Sequence, residues 1–236
     1  MKGRNISKMF FIPLQSKVTL NPIENEMTID DFVVVVASEE HTLYAKEICD
    51  EMAESAKARG TGISKRSPEY VAGKMRDGKA VIAIHKDGTW AGFSYIECWG
   101  HGKYVANSGL IINPKFRKLG LARAIKTKTF FLSLKKFKGA KLFGLTTGLA
   151  VMKINSELGY HPVTFSQLTD EEEFWAGCKS CINYPILESK ERQNCLCTAM
   201  LFDPEVDYIT ATLKPKFLFE MMEDLANVEP IDINEL

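Results

Sequence analysis

The chain has 236 residues, of which 45% are apolar, 25% charged and 10% aromatic, a composition that can bury a sizeable core and excludes wholesale disorder. Thirty basic and thirty acidic residues cancel, so net charge names no partner. No apolar run approaches the ~20 residues of a membrane helix, the run at 9–14 is too short for a secretory signal core, and six cysteines are too few for a disulfide scaffold. The expected location is the cytoplasm.

In chain order, residues 1–30 read as an N-terminal extension with a strand near 18–20. Phe32–Val36 is a β-branched run and reads as a buried strand. Ser38 opens a helix that places Leu43, Ile48, Met52 and Ala56 near one face and stops at Gly60. Ser67-Pro68-Glu69 opens a second helix, which ends near Asp77-Gly78. The period then changes from helical to two. Ala80–His85, residues 90–98 and Tyr104–Ile112 read as three consecutive antiparallel strands, with a hairpin turn at Asp87-Gly88. A helix follows over about 120–137, with Leu121, Ile125 and Leu132 on one side. Then come a strand at 141–145, a helix at 150–158 and a strand at 160–165. From Ser166 the composition shifts: Thr169 with Glu172 reads as a capping box for a short helix, a cysteine segment follows, and 196–202 is the last strand. KFLFEMMEDLANV, residues 216–228, reads as an amphipathic helix in an acidic tail. The order of elements indicates an α/β (α+β) fold with a mixed, mostly antiparallel sheet flanked by helices.

Charge is unevenly placed. Between Glu97 and Glu157 there is no acid, while twelve Lys and Arg fall there; from Asp203 onward nine acids face two lysines. A neutral chain with a cationic middle suggests a localised anion site. The most informative piece of that middle is INPKFRKLGLARAIKTK, residues 112–128. A strand ends, a short loop carries Arg117-Lys118-Leu119-Gly120-Leu121-Ala122, and a helix begins. A helix start has unsatisfied amides and a positive dipole end, and Gly120 and Ala122 let a bulky anion approach the backbone. The segment reads as a pyrophosphate cradle. It lacks the Gly-Lys-Ser/Thr ending of a Walker loop and two glycines of the dinucleotide fingerprint.

Arg117-x-x-Gly120-x-Ala122 after strand-Asn-Pro resembles the signature of the GNAT superfamily of acyl-CoA-dependent N-acyltransferases. The order of elements over about 30–203 is similar to that family's, and VMKINSELGYHPV, residues 151–163, resembles its second helix motif. The resemblance implies a GNAT-like domain over 31–203, interrupted by a cysteine-rich insertion at 166–197, with a C-terminal helix and tail over 204–236. It implies acyl-CoA with its pyrophosphate on residues 117–122 and its pantetheine paired along Leu110, Ile111 and Ile112.

Amide formation from a thioester needs a neutral amine and a proton for the leaving thiolate. Two departures from the resembled pattern are plain. YVANSGLII carries no acid, and Asn155 stands where the family has its tyrosine acid. Glu97, placed beside Val105 across the hairpin, is the substitute base considered, with His101, Asn107 and Ser108 nearby; Asn155 could hydrogen-bond the thioester or thiol. A main-chain amide near Ile112 would hold the carbonyl oxygen, by resemblance.

Cys178-x-x-Cys181 and Cys195-x-Cys197, thirteen residues apart, have the spacing of four thiolates on one zinc, closed and structural. An iron–sulfur centre, two disulfides and four free thiols are the alternatives. Cys49 and Cys98 read as buried small hydrophobes.

The reading is an N-acyltransferase moving acetyl or a related acyl group from acyl-CoA to a primary amine of a small metabolite, such as an amino acid like glutamate. A protein amine is the rival acceptor. A non-catalytic CoA-binding or regulatory module is the rival class, favoured by the missing acid and tyrosine. A zinc-containing nucleic-acid binder is a third, weakened because Phe116 is the only stacking partner near the loop. A homodimer is compatible with this reading.

Overall fold

The computed structural model describes residues 18–21, 26–60 and 65–211. The expected helix at 216–228 lies outside the described residues, as does the first part of the N-terminal extension. The elements are β1 (Val18–Asn21), β2 (Glu26–Ile29), β3 (Phe32–Val36), α1 (Ala45–Arg59), α2 (Pro68–Arg76), β4 (Ala80–His85), β5 (Trp90–Trp99), β6 (Tyr104–Ile112), α3 (Leu121–Lys136), β7 (Lys141–Thr146), α4 (Leu149–Glu157), β8 (His161–Val163), α5 (Glu172–Ala176), α6 (Tyr184–Ser189), β9 (Thr198–Phe202) and α7 (Pro204–Ala211). The strands form one nine-stranded sheet in the order β1-β2-β3-β4-β5-β6-β7-β9-β8. Every pairing is antiparallel except β6 with β7. The mixed, mostly antiparallel sheet flanked by helices is therefore present. Among the described residues no helix is long and apolar enough to cross a membrane.

Local chemistry explains most element ends. The Ser67 hydroxyl accepts from the Tyr70 amide at 3.2 Å, and Pro68 occupies the first helical position of α2. Four sequence expectations shift. The segment after Ser38 begins as a 3-10 turn over Glu39–Tyr44 before α1, and Leu43 is 71% exposed: in the tighter turn it falls off the buried face that Ala45, Ile48 and Met52 form. Thr169 does not cap α5; its hydroxyl accepts from the Glu171 amide at 3.2 Å, a local turn outside the helix. Glu97 pairs with Ala106, and Cys98 takes the place opposite Val105. Cys98 is exposed, since alternation along β5 turns it away from buried Glu97.

The two faces of the sheet are covered differently. One face buries a large cluster under α3 and α4, including Val105, Leu121, Ile125, Leu142 and Ile154. The other is covered in two parts. Ile48, Met52 and Val71 of α1 and α2 pack on Phe93 and Tyr95, while Phe165, Trp175 and Leu187 of the cysteine-rich segment pack on Ala106, Phe143 and Leu201. Aromatic rings dock that segment: Phe174 meets Trp99 and Phe143 edge-on, both at 5.1 Å between centroids. The boundary between the two coverings runs over β6.

Candidate functional site

β6 and β7 pair only from Tyr104, Val105 and Ala106 to Lys141, Leu142 and Phe143. Yet β6 continues to Ile112 and β7 to Thr146. From Asn107 onward the two strands part, leaving a fork whose β6 arm has an unpaired edge. The β5–β6 register breaks between Phe93 and Tyr95, where the Ser94 hydroxyl donates to the Ser108 carbonyl at 3.0 Å. Gly109, at φ +62°, sits in this irregularity.

The loop from β6 into α3 is held open by Asn113. Its side chain donates to the Trp90 carbonyl at 2.9 Å and accepts from the Lys115 amide at 3.1 Å. Lys118 and Gly120 then take left-handed conformations, at φ +68° and +85°. The Arg123 and Ala124 amides are the first to bond back, both to the Gly120 carbonyl, so the amides just before them point away from the helix body.

A cleft of about 460 Å³ lies between this helix start, the free arm of β6 and α4. Its lining includes Leu110, Ile111, Ile112, Lys118, Gly120, Leu121 and Ala122, each expected from the sequence to hold acyl-CoA, with Val151 and Ile154 opposite. Leu119 is not in the lining and is 44% exposed. Lys118, Lys153 and Arg59 bring positive charge to it. Arg117 borders the cleft, but its guanidinium turns to α1, donating to Glu51 and the Ser55 hydroxyl, both at 2.8 Å. Arg123 makes a two-point contact with Glu157, both bonds 2.8 Å.

Glu97 lies on the opposite face, 7% exposed. One carboxylate oxygen accepts from the Tyr70 hydroxyl; the other accepts from the Lys74 ammonium at 2.7 Å. Arg66 stands 3.9 Å from it and donates to the Tyr95 hydroxyl at 2.9 Å. Burial pushes the Tyr95 hydroxyl up to about 12, and burial, then the Glu97 carboxylate, raises Tyr70 as well. Asn155 is 1% exposed. Its Nδ2 meets only the Met200 sulfur at 3.7 Å, and its Oδ1 has no partner.

The four cysteines of the insertion do not support the expected zinc site. Among the described residues, no group of three or more His, Cys, Asp or Glu side chains could hold a metal ion. Cys178, Cys195 and Cys197 instead pack against the aromatic cluster under the insertion. Burial, then neighbouring thiols, pushes Cys178 up to about 11 and Cys197 up to about 12, which opposes the thiolate form a metal needs.

Sequence reasoning missed two groups. Arg66, Tyr70 and Lys74 around Glu97 come from a loop and helix remote in sequence. Lys126 reads as one cation of a solvated helix stripe, yet it is 2% exposed. The available signal was its own stripe, in which Ala122, Thr129, Phe130 and Ser133 carry no charge.

No family model and no curated protein matches this sequence. Solved structures do. N-acetylglutamate synthase from Neisseria gonorrhoeae, complexed with coenzyme A and N-acetyl-glutamate, aligns with a TM-score of 0.51 at 13% identity over 73% of this chain, which spans only 35% of that enzyme. The Mycobacterium tuberculosis protein Rv2747, in complex with CoA, aligns with a TM-score of 0.51 at 16% identity, covering 72% of this chain and 98% of that one. A GNAT superfamily phosphinothricin acetyltransferase from Sinorhizobium meliloti, in complex with AcCoA, gives 0.50 at 12% identity, over 73% and 88%. At such identities the likeness is one of architecture, and this chain has the fold of the GNAT acetyltransferases.

Proposed function

We propose that this chain is an acyl-CoA-dependent N-acyltransferase that moves an acetyl or related acyl group to the primary amine of a small molecule such as an amino acid. The observation that carries the reading is the cleft joining the open amides before Arg123 to the unpaired arm of β6. A diphosphate fits the first and an extended amide chain the second. The fold is shared with proteins solved with CoA, acetyl-CoA or N-acetyl-glutamate bound, which supports a thioester donor and an amine of the amino-acid class.

In the proposed reaction the amine nitrogen attacks the thioester carbonyl. The C–N bond forms, the C–S bond breaks, and the proton lost by the amine ends on the CoA sulfur. The main-chain amides beside Ile112 are suited to the carbonyl oxygen. The Asn155 amide, buried with an unpartnered oxygen, is placed to adjust to the acyl group. Glu97 would take the amine proton through the Tyr70 hydroxyl that it holds.

One observation favours a second reading, a CoA-binding module without turnover: both Glu97 oxygens are already engaged, by Tyr70 and Lys74. Calorimetry with acetyl-CoA and a thiol-release assay over pooled amino acids and polyamines separate the readings. Binding with turnover supports the enzyme, binding without turnover the module, and no binding overturns both.

A further inference from the structure

At the parting of β6 and β7, on the α3/α4 face, a polar group is enclosed by the main apolar cluster. Asn107 is the first β6 residue beyond the last pair with β7. Its amide is fully used: Nδ2 donates to the Ser133 hydroxyl at 2.7 Å, and Oδ1 accepts from the Tyr160 hydroxyl at 3.0 Å. Lys126 reaches into the same place. Its ammonium donates to the Asn107 carbonyl at 3.3 Å and lies 5.6 Å from the Tyr160 ring centroid. Among the described residues Lys126 has no carboxylate partner, and β6, α3, β7 and the first eight residues of α4 contain no acid. An ammonium taken out of water without a counter-charge is expensive, and a methionine would fill the same space at lower cost.

The opposite arm is also incompletely filled. Gly144 of β7 has no side chain, and a Cβ there would meet only the Asn155 amide at 3.7 Å. Asn155 Oδ1 is buried and unpartnered. A buried cation on one arm, an unpaired amide on the other and a missing side chain between them describe the receiving end of a polar ligand group.

Under the acyltransferase reading, on which this inference rests, the acyl group points from Leu110 toward Asn107. At ~3.3 Å per residue that is about 10 Å of strand. An acetyl methyl extends only about 1.5 Å past its carbonyl carbon, leaving the cation out of reach, whereas two more methylene-length bonds and a carboxylate close much of the gap. We propose that the acyl group ends in a carboxylate that Lys126 receives, so that the donor is the CoA thioester of a short dicarboxylic acid of the succinyl or glutaryl class. The bonds made and broken are those of the reaction above; the terminal carboxylate is unchanged and serves to seat the donor.

Calorimetry on the full chain tests this without knowledge of the acceptor, using CoA, acetyl-CoA, butyryl-CoA and succinyl-CoA. Butyryl-CoA matches succinyl-CoA in chain length and lacks the charge. The expected result is succinyl-CoA bound at least tenfold tighter than butyryl-CoA, with the difference abolished in Lys126→Met and CoA itself bound equally by both proteins. Succinyl-CoA bound no tighter than butyryl-CoA by the wild-type chain overturns the inference while leaving the fork reading intact, and needs no variant to fold. Failure to bind CoA at all overturns the fork reading itself.

Discussion

The Tyr95 ring lies across the backbone of Gly109, so close that a Cβ on Gly109 would stand 2.2 Å from Tyr95 Cε1 and 3.0 Å from the Met52 methyl. Gly109 is also left-handed, at φ +62°, so both space and backbone conformation require glycine. This contact joins the β6 arm of the fork to the Arg66–Tyr70–Glu97 group, because the same Tyr95 accepts from Arg66. Gly109→Ala is expected to cost about 3 kcal/mol, overpacking plus the left-handed penalty. For a chain of this size that lowers Tm by about 6–12 °C. A thermal melt within 2 °C of wild type would show that the ring is free to move aside.

Glu97 separates the two functional readings. In the enzyme, Glu97→Gln should lower kcat about 100-fold, the low end of general-base effects, with acetyl-CoA affinity unchanged because the cleft lies on the other sheet face. Tyr70→Phe should cost about tenfold, since it removes the hydroxyl that links Glu97 to the acceptor side. Steady-state kinetics and calorimetry on the same preparations check both. Turnover unaffected by either change would remove Glu97 from the proton path.

Much of this architecture was legible because local signals agreed. The switch from helical to alternating periodicity after Gly78 gave β4, β5 and β6, and Gly120 with the Asn113-Pro114 stop gave the start of α3. The polar interior was not legible, because it depends on partners far apart in sequence. Lys126 is buried by a helix whose charged residues give a weak amphipathic pattern, and Glu97 gains its partners only when α2 packs on β5. The cysteine spacing pointed to a metal because spacing alone does not register how deeply the aromatic cluster buries the thiols.

The cations of the cleft should divide by what they already hold. Lys118 and Lys153 border the cleft, and replacing either by Ala should weaken CoA binding three- to tenfold at low salt and less at 0.5 M NaCl, as screening predicts. Arg117 is committed to Glu51 and Ser55 of α1. Arg117→Ala should leave CoA affinity within about twofold and lower stability by less than 1 kcal/mol, as for a partly exposed ion pair. An Arg117→Ala loss larger than that of Lys118→Ala would show that the guanidinium leaves α1 when CoA binds.

Lys126 gives the chain a distinctive pH dependence. Burial pushes its ammonium down to about 7, from about 10.5 in the unfolded chain. Between these values the unfolded state binds the extra proton, so stability rises with pH from about 7 toward 10.5. Below about 7 both states are charged and the full cost of burying the ammonium is borne, a matter of several kcal/mol. Tyr95, raised to about 12 in the fold, acts in the opposite sense above its unfolded value near 10, so the raw profile mixes the two. The difference between wild type and Lys126→Met removes that background. Urea melts at pH 6, 7.5 and 9 should show the wild type gaining on the variant by more than 1 kcal/mol between the first and last. Parallel profiles would mean that Lys126 keeps its proton throughout, through water or an anion reaching the base of the fork.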